Sequence, residues 1–339
     1  MKTSKSSTLL ILIYVDDIII TGSNEVEIEK LVAVLNNSFS LKDLGQLSYF
    51  LGIEVKAVNG GLQLSQRRYI EDLLQKTKMD NARPLPTPMI SSLKLTSDEG
   101  DPIENTTEYR SIVGALQYIT ITRPEIAFSV NKVCQFMQSP LDQHWKAVKR
   151  ILRYLKGTTD EGILMQGSKV LSLTGFCDAD WGNDLCDRRS TTGYCIYLGR
   201  NVISWSSKKQ HVVSRSSTEA EYRSLANATS EILWLQSLLS ELKVHFRYPP
   251  TLWCDNMSTI SLSANPVLHS RTKHMELDLY FVREKVIAKE LEVNHVPSID
   301  QVADVFTKPL SAQFFNRLKG KLTVIAAEEE EKEKKPGLV

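Results

Sequence analysis

A mixed α/β fold, in which helices pack on sheets, is what this sequence predicts, and three observations predict it. Apolar stretches with strand character occur near the start, Leu9 to Thr21, and again from Leu171 onward. Long segments with helical spacing fill the middle. The second half then runs βββ-α-β-α-α-β-α, an order that implies a mixed sheet with helices on it.

The elements follow in chain order. Leu9 to Thr21 reads as two apolar strands joined at Asp16 and Asp17, and Asn24 to Asn37 as a helix with Asn24 as N-cap. SYFLGIEVKAVNGGLQLSQ is a second hairpin turning at Asn59-Gly60-Gly61, with a short helix after it over Arg68 to Lys76. From Asp80 to Thr107, Pro84, Pro86, Pro88 and Pro102 mark a linker or surface-hugging segment. Glu108 to Lys156 is helical with a break at Arg123-Pro124, and Gly157 to Gly167 is a transition. LSLTGFCDADWG, TTGYCIYLG and NVISWSSKK form a three-stranded meander. A long helix follows, with Thr218 and Glu221 as its capping box. TLWCDN is a short strand, Met257 to Ala264 and Thr272 to Lys289 are helices, LEVNHVP is a strand, and Gln301 to Phe306 opens a last helix. The tail AAEEEEKEKKPGLV is a charge run with little apolar content.

Composition narrows the function classes. The 339 residues are 42% hydrophobic and 24% charged, an ordinary globular balance long enough for two or three domains. A net charge of +1 names no partner, so any nucleic-acid surface is local. Five cysteines without a CxxC pair argue against a disulfide framework or a zinc site and for a reduced, intracellular chain, cytoplasmic or nuclear. Leu9 to Ile20 is too short for a membrane span and is broken by its aspartates, and no signal-peptide pattern is present. In HWKAVKRILRYLKG, Trp145, Val148, Leu152 and Leu155 share one face. Lys146, Lys149, Arg150, Arg153 and Lys156 crowd the rest, a cationic surface suited to a phosphate backbone or simply to solvent.

Single acids fall at element ends in the second half: Asp178 in CDADWG, Glu219 in STEAEY, Asp255 in WCDN and Asp304 in QVADVFTK. If they converge at one sheet edge, their repulsion calls for a divalent cation, and hard oxygen donors favour Mg²⁺ or Mn²⁺. Two such ions activate a water and stabilise a leaving oxygen. Among 40 acids, four at element ends also suit turns and caps, and residue types alone leave both readings open.

The motifs taken together resemble the Pol polyprotein of copia-type LTR retrotransposons. CDADWG, RRSTTGY, STEAEY, WCDN, HSRTKH and QVADVFTKPL, in that order, are similar to its ribonuclease H domain. IYVDDIIITG resembles the active-site hairpin of its reverse transcriptase, YFLGIEV the primer-grip region, and YRSIVGALQYITITRPEIAF the segment leading to the ribonuclease H domain. The resemblance covers Leu9 to about Leu318. It implies a C-terminal palm part over residues 1–80, a linker over 81–107, a helical thumb or connection segment over 108–167, a ribonuclease H-like five-stranded mixed sheet over 168–320 and a charged tail over 321–339.

It further implies that Asp178, Glu219, Asp255 and Asp304 hold two Mg²⁺ or Mn²⁺ ions and cleave RNA in an RNA–DNA hybrid, with Asp180 and Asp300 as alternates for the first and last. The hybrid is read through its backbone. Arg188, Arg189, Lys208, Lys209 and the five cations of the helix are the candidate contacts. Asp16 and Asp17 match metal ligands of the polymerase. No histidine lies between the strand and Asp304; His295 is the nearest, and His269 and His274, five apart, read as surface or substrate-proximal. Polymerisation needs a further carboxylate from an earlier strand, yet the thirteen residues before Tyr14 hold no acid. The chain alone is therefore expected not to extend a primer on RNA, and to need another chain for the missing half. Its Ile11, Ile13, Ile18 and Ile20 are expected to form exposed apolar surface. The competing expectations are a binding module that has lost its chemistry and an element-derived product without a role.

Overall fold

The computed structural model describes residues 2–3, 7–39, 41–265 and 275–326. A three-stranded antiparallel ribbon comes first: β1 (Lys2–Thr3), β2 (Thr8–Tyr14) and β3 (Asp17–Gly22). Tyr14 pairs with Asp17, which leaves Val15 and Asp16 at the tip. Val15 is held at φ 49°, a left-handed conformation that costs a β-branched residue energy. Ile11 and Ile13 are exposed and Ile18 and Ile20 half-buried, so the expected apolar surface lies mainly on β2. Helix α1 (Glu25–Phe39) follows, its first turn held by the Asn24 side chain, which accepts from Val26 N at 3.0 Å.

The second hairpin comprises β4 (Tyr49–Phe50), β5 (Ile53–Val58) and β6 (Gly61–Ser65), and leads into α2 (Arg67–Lys76). Three helices then pack together: α3 (Thr106–Ile119), capped by Asn105, α4 (Ala127–Cys134) and α5 (Asp142–Lys156). The glycine-flanked stretch after them, read as a transition, contains a strand, β7 (Glu161–Gln166), which pairs antiparallel with β6. Its neighbours Gly157 and Gly167 read as punctuation, and the strand is visible only through its partner. Any side chain at Gly162 would meet the Leu64 carbonyl oxygen at 2.2 Å, so the close strand approach requires glycine.

The meander is β8 (Leu173–Ala179), β9 (Thr191–Leu198) and β10 (Asn201–Lys209). Then come α6 (Ser217–Glu241), β11 (Thr251–Cys254), α7 (Met257–Ala264), α8 (Glu276–Ile287) and β12 (Glu292–His295). Gln301 to Phe306, expected to open the last helix, instead holds a separate 3-10 turn, Val302–Phe306. Helix α9 (Ala312–Lys321) and β13 (Val324–Ala326) follow it. His269, His274 and most of the charged tail lie outside the described residues.

The strands form a mixed sheet in the order β10-β9-β8-β11-β12: the meander is antiparallel, and β11 runs parallel to both β8 and β12. This is the ribonuclease H-like arrangement. A second sheet, β13-β7-β6-β5-β4, joins the end of the described chain to its second hairpin. Alternation along β9 separates two cores. Ile196 packs with Leu225, Ile232, Leu252 and Val282 under α6 and α8. Cys195 and Tyr197 face the other way, towards Tyr109, Leu116, Ile151, Phe306 and Leu318. Among the described residues no helix is long and apolar enough to cross a membrane.

Candidate active site

Because β8 and β11 are parallel neighbours, their C-terminal ends share one sheet edge. Asp178 lies near the end of β8, and Asp255 directly follows β11. The 3-10 turn carrying Asp304 lies across the ends of β8 and β9. A β-carbon on Gly193 would come within 2.7 Å of Phe306 Cβ and 2.6 Å of Thr307, so only glycine lets the turn lie this close. Gln301 Nε2 donates to the Cys177 carbonyl at 2.9 Å, and the Thr307 hydroxyl donates to Asp178 Oδ2. Ser298 donates to Asp255 Oδ2 at 2.9 Å.

The glutamate that completes the group is Glu221, not Glu219. Ligand atoms of Glu221, Cys254 and Asp255 all lie within 4.8 Å of one another, and the charges of Asp178 and Asp255 both act on Glu221. Glu219 is turned elsewhere: it pairs with Arg223 at 2.9 Å and accepts from Arg215 N at 2.8 Å, and Arg223 reaches on to Asp278 at 3.5 Å. The cause is the helix start. Ser216, not Thr218, is the N-cap, its hydroxyl accepting from Glu219 N at 3.2 Å. The capping position therefore falls on Glu219, and Glu221, two residues and about 200° further round the helix, faces the aspartates.

Of the alternates, Asp300 is an exposed partner of Arg317 (2.6 Å) and Lys321 (2.9 Å), away from the group. Asp180 binds the Thr191 amide, and burial pushes its carboxyl up to about 6. His295 is exposed at the end of β12. Asp16 and Asp17 are exposed at the ribbon tip, and among the described residues no third acid, cysteine or histidine joins them.

Lys308 was not legible as a site residue, although it stands four residues after Asp304. Its ammonium lies 2.8 Å from Asp304 Oδ1 and 3.6 Å from Asp178 Oδ2. Burial, and then the Asp178 charge, push the Asp304 carboxyl up to about 7 despite Lys308. Burial likewise drives Glu221 well above the usual carboxylate range, helped by Asp178, Cys254 and Asp255. The donor set fits a hard divalent cation. It offers four carboxylates, and buried Glu221 Oε2 has no hydrogen-bond partner among the described residues. Cys254 is the one soft donor in it.

A pH dependence follows. Asp304 titrates near 3.8 when unfolded and near 7 when folded, so its contribution to stability is full below about pH 4 and is lost as the pH rises to about 7. Metal-free protein is expected to melt lower at pH 8 than at pH 5, Mg²⁺ to restore much of the loss at pH 8, and Asp304→Asn to flatten the dependence. Thermal melts at the two pH values, with and without Mg²⁺, measure this.

The candidate cations divide. Arg150 donates to Thr87 Oγ1 at 2.9 Å and Arg153 to the Arg83 carbonyl at 2.7 Å, so both fasten the proline-rich segment to α5. Lys209 is held by Asp184 and Asp187 at 2.9 Å each, and Arg189 pairs with Asp187 at 3.6 Å. Lys146 pairs with Asp142 at 2.6 Å but stays exposed, and Lys149 lies over the Trp145 ring. Lys156 is half-buried, and Arg188 and Lys208 are exposed.

The strand order defines the ribonuclease H-like fold class. Sequence comparison adds the family. A family model described as reverse transcriptase (RNA-dependent DNA polymerase) matches residues 1–91. The Pol polyprotein of transposon RE2 from Arabidopsis thaliana is 51% identical over 319 residues, 94% of this chain and 22% of that protein. An uncharacterised mitochondrial protein of the same plant, AtMg00810, is 46% identical over 229 residues, 67% of this chain and 94% of that one. A solved ribonuclease H1 from Halobacterium salinarum overlaps 40% of this chain and 94% of its own at 12% identity and a TM-score of 0.29, too low to add to the strand order. The chain belongs to the copia-type retrotransposon Pol family, spanning its C-terminal reverse-transcriptase and ribonuclease H-like regions. It spans about a fifth of the RE2 polyprotein's length.

Proposed function

We propose that the chain is a Mg²⁺- or Mn²⁺-dependent endonuclease that cuts the RNA strand of RNA–DNA hybrids. One observation carries the reading: Asp178, Glu221, Asp255 and Asp304, far apart in sequence, meet at one sheet edge. These four carboxylates hold the ions. Thr307 and Ser298 fix the rotamers of Asp178 and Asp255, and Gln301 holds the Asp304 turn to β8. When bound, two divalent ions supply an activated water and neutralise charge on the scissile phosphate.

Lys208 is the favoured backbone contact. It pairs in register with Thr192, which pairs with Ala179, placing it two strands or about 10 Å from the end of β8. Arg188, Lys146 and Lys149 keep enough exposure to join it, while Arg150, Arg153 and Lys209 serve the fold. Asp16 and Asp17 take no part in this reaction. Labelled RNA annealed to DNA, incubated with the protein and Mg²⁺, is expected to be cut internally, and neither the Asp178→Asn variant nor a chelator-treated sample is expected to cut it. Hybrid binding without cleavage by the unaltered protein would favour a binding module and reject the nuclease.

A further inference from the structure

Lys308 places a positive charge where a cation of the acid group would sit. Its ammonium touches Asp304 Oδ1 and approaches Asp178 Oδ2, both on side chains no more than 6% exposed, whereas its own side chain is 41% exposed. The backbone beneath it is fixed: Lys308 N donates to the Asp304 carbonyl at 3.1 Å and Thr307 N donates to the same oxygen at 3.2 Å. Pro309 restricts the conformation of Lys308 further. The freedom left to the residue is that of its side chain, whose outer stem already reaches solvent.

We propose that Lys308 is a built-in counter-ion that holds the carboxylate group together without metal and is displaced when a divalent cation binds, a reading that rests on the metal site proposed above. An ammonium and a divalent cation compete for the same carboxylate oxygens, and a positive charge within 4 Å opposes the arrival of a second one. Lys308 therefore weakens metal affinity while stabilising the metal-free fold. It makes metal loading depend on moving one side chain, with no change in the sheet. Without Lys308 three buried acids would crowd one another, and they would be relieved by proton uptake or loss of structure.

The test is Mn²⁺ titration at pH 8.5, read by the electron paramagnetic resonance of free Mn²⁺, alongside metal-free thermal melts. Lys308→Met is expected to bind Mn²⁺ about tenfold more tightly than the unaltered protein and to melt at lower temperature without metal. Lys308→Arg keeps the charge and is expected to bind as the unaltered protein does. Lys308→Gln, which retains a donor without charge, replaces the Met variant if that one does not fold, with the same tightening expected. Equal or weaker Mn²⁺ binding by the uncharged variants overturns the counter-ion role alone. No saturable Mn²⁺ binding by the unaltered protein overturns the metal site, and this role with it.

Discussion

Glu221→Gln is expected to lower hybrid cleavage by about 100-fold or more, whereas Glu219→Gln is expected to change it by less than about threefold. The two residues sit in one motif, STEAEY, and differ in what they face. Glu221 presents to Asp178 and Asp255 a buried oxygen with no hydrogen-bond partner among the described residues, so at the proposed metal site neutralising it removes a ligand from a group of four. Glu219 binds Arg223 and the Arg215 amide, and its amide variant keeps most of that geometry. The cost there falls on the helix start, about 1 kcal/mol of stability. Initial rates on labelled hybrid separate the two, with circular dichroism to show that both variants fold. The reverse ranking would return the ligand role to Glu219 and break the link between geometry and chemistry.

The largest stability effect is expected at Arg123. Its guanidinium is fully buried, and it binds Glu125 at 2.7 Å, the Thr158 carbonyl and hydroxyl at 2.7 Å each, and Glu161 at 3.2 Å. Glu161 pairs in turn with Lys319 at 2.6 Å, so one network joins the end of α3, β7 and α9. Arg123→Ala leaves Glu125 buried without a counter-charge, a loss of about 3–5 kcal/mol. For a chain of this size the melting temperature is expected to fall by about 10 °C. Arg123→Met with Glu125→Leu, which removes both charges, is expected to recover much of the loss. A double variant no more stable than Arg123→Ala would show that the other hydrogen bonds, not the charge pair, carry the effect.

Periodicity and turn residues made most of the elements legible, because burial of one face sets the spacing of apolar residues locally. The meander, α6 and the YVDD hairpin are cases of this. What escaped depended on neighbours distant in sequence. Strand β7 is short, glycine-flanked and defined by pairing with β6. Which glutamate of STEAEY faces the aspartates turned on whether Ser216 or Thr218 caps α6, because the cap at Ser216 leaves Glu219 in the capping position. Both are serine/threonine residues with glutamate three positions on, so local sequence supports either start. Lys308 and the partners of Arg150 and Arg153 likewise follow from tertiary placement.

The edge-to-edge sheet β13-β7-β6-β5-β4 bears on how the chain is made. Gln63 Nε2, in the second hairpin, donates to the Ile325 carbonyl at 2.8 Å, a contact spanning 262 positions. During synthesis the β6 edge of this hairpin is covered when β7 emerges about 100 residues later, and the edge of β7 in turn stays open until β13, about 160 residues further on. At about 5–20 residues per second the β7 edge waits for about 8–30 s, a window in which another nascent copy or a chaperone has access to it. Closure of the sheet thus waits for β13, and slowing elongation across α9 and β13 would lengthen the exposure of an apolar, unpaired strand.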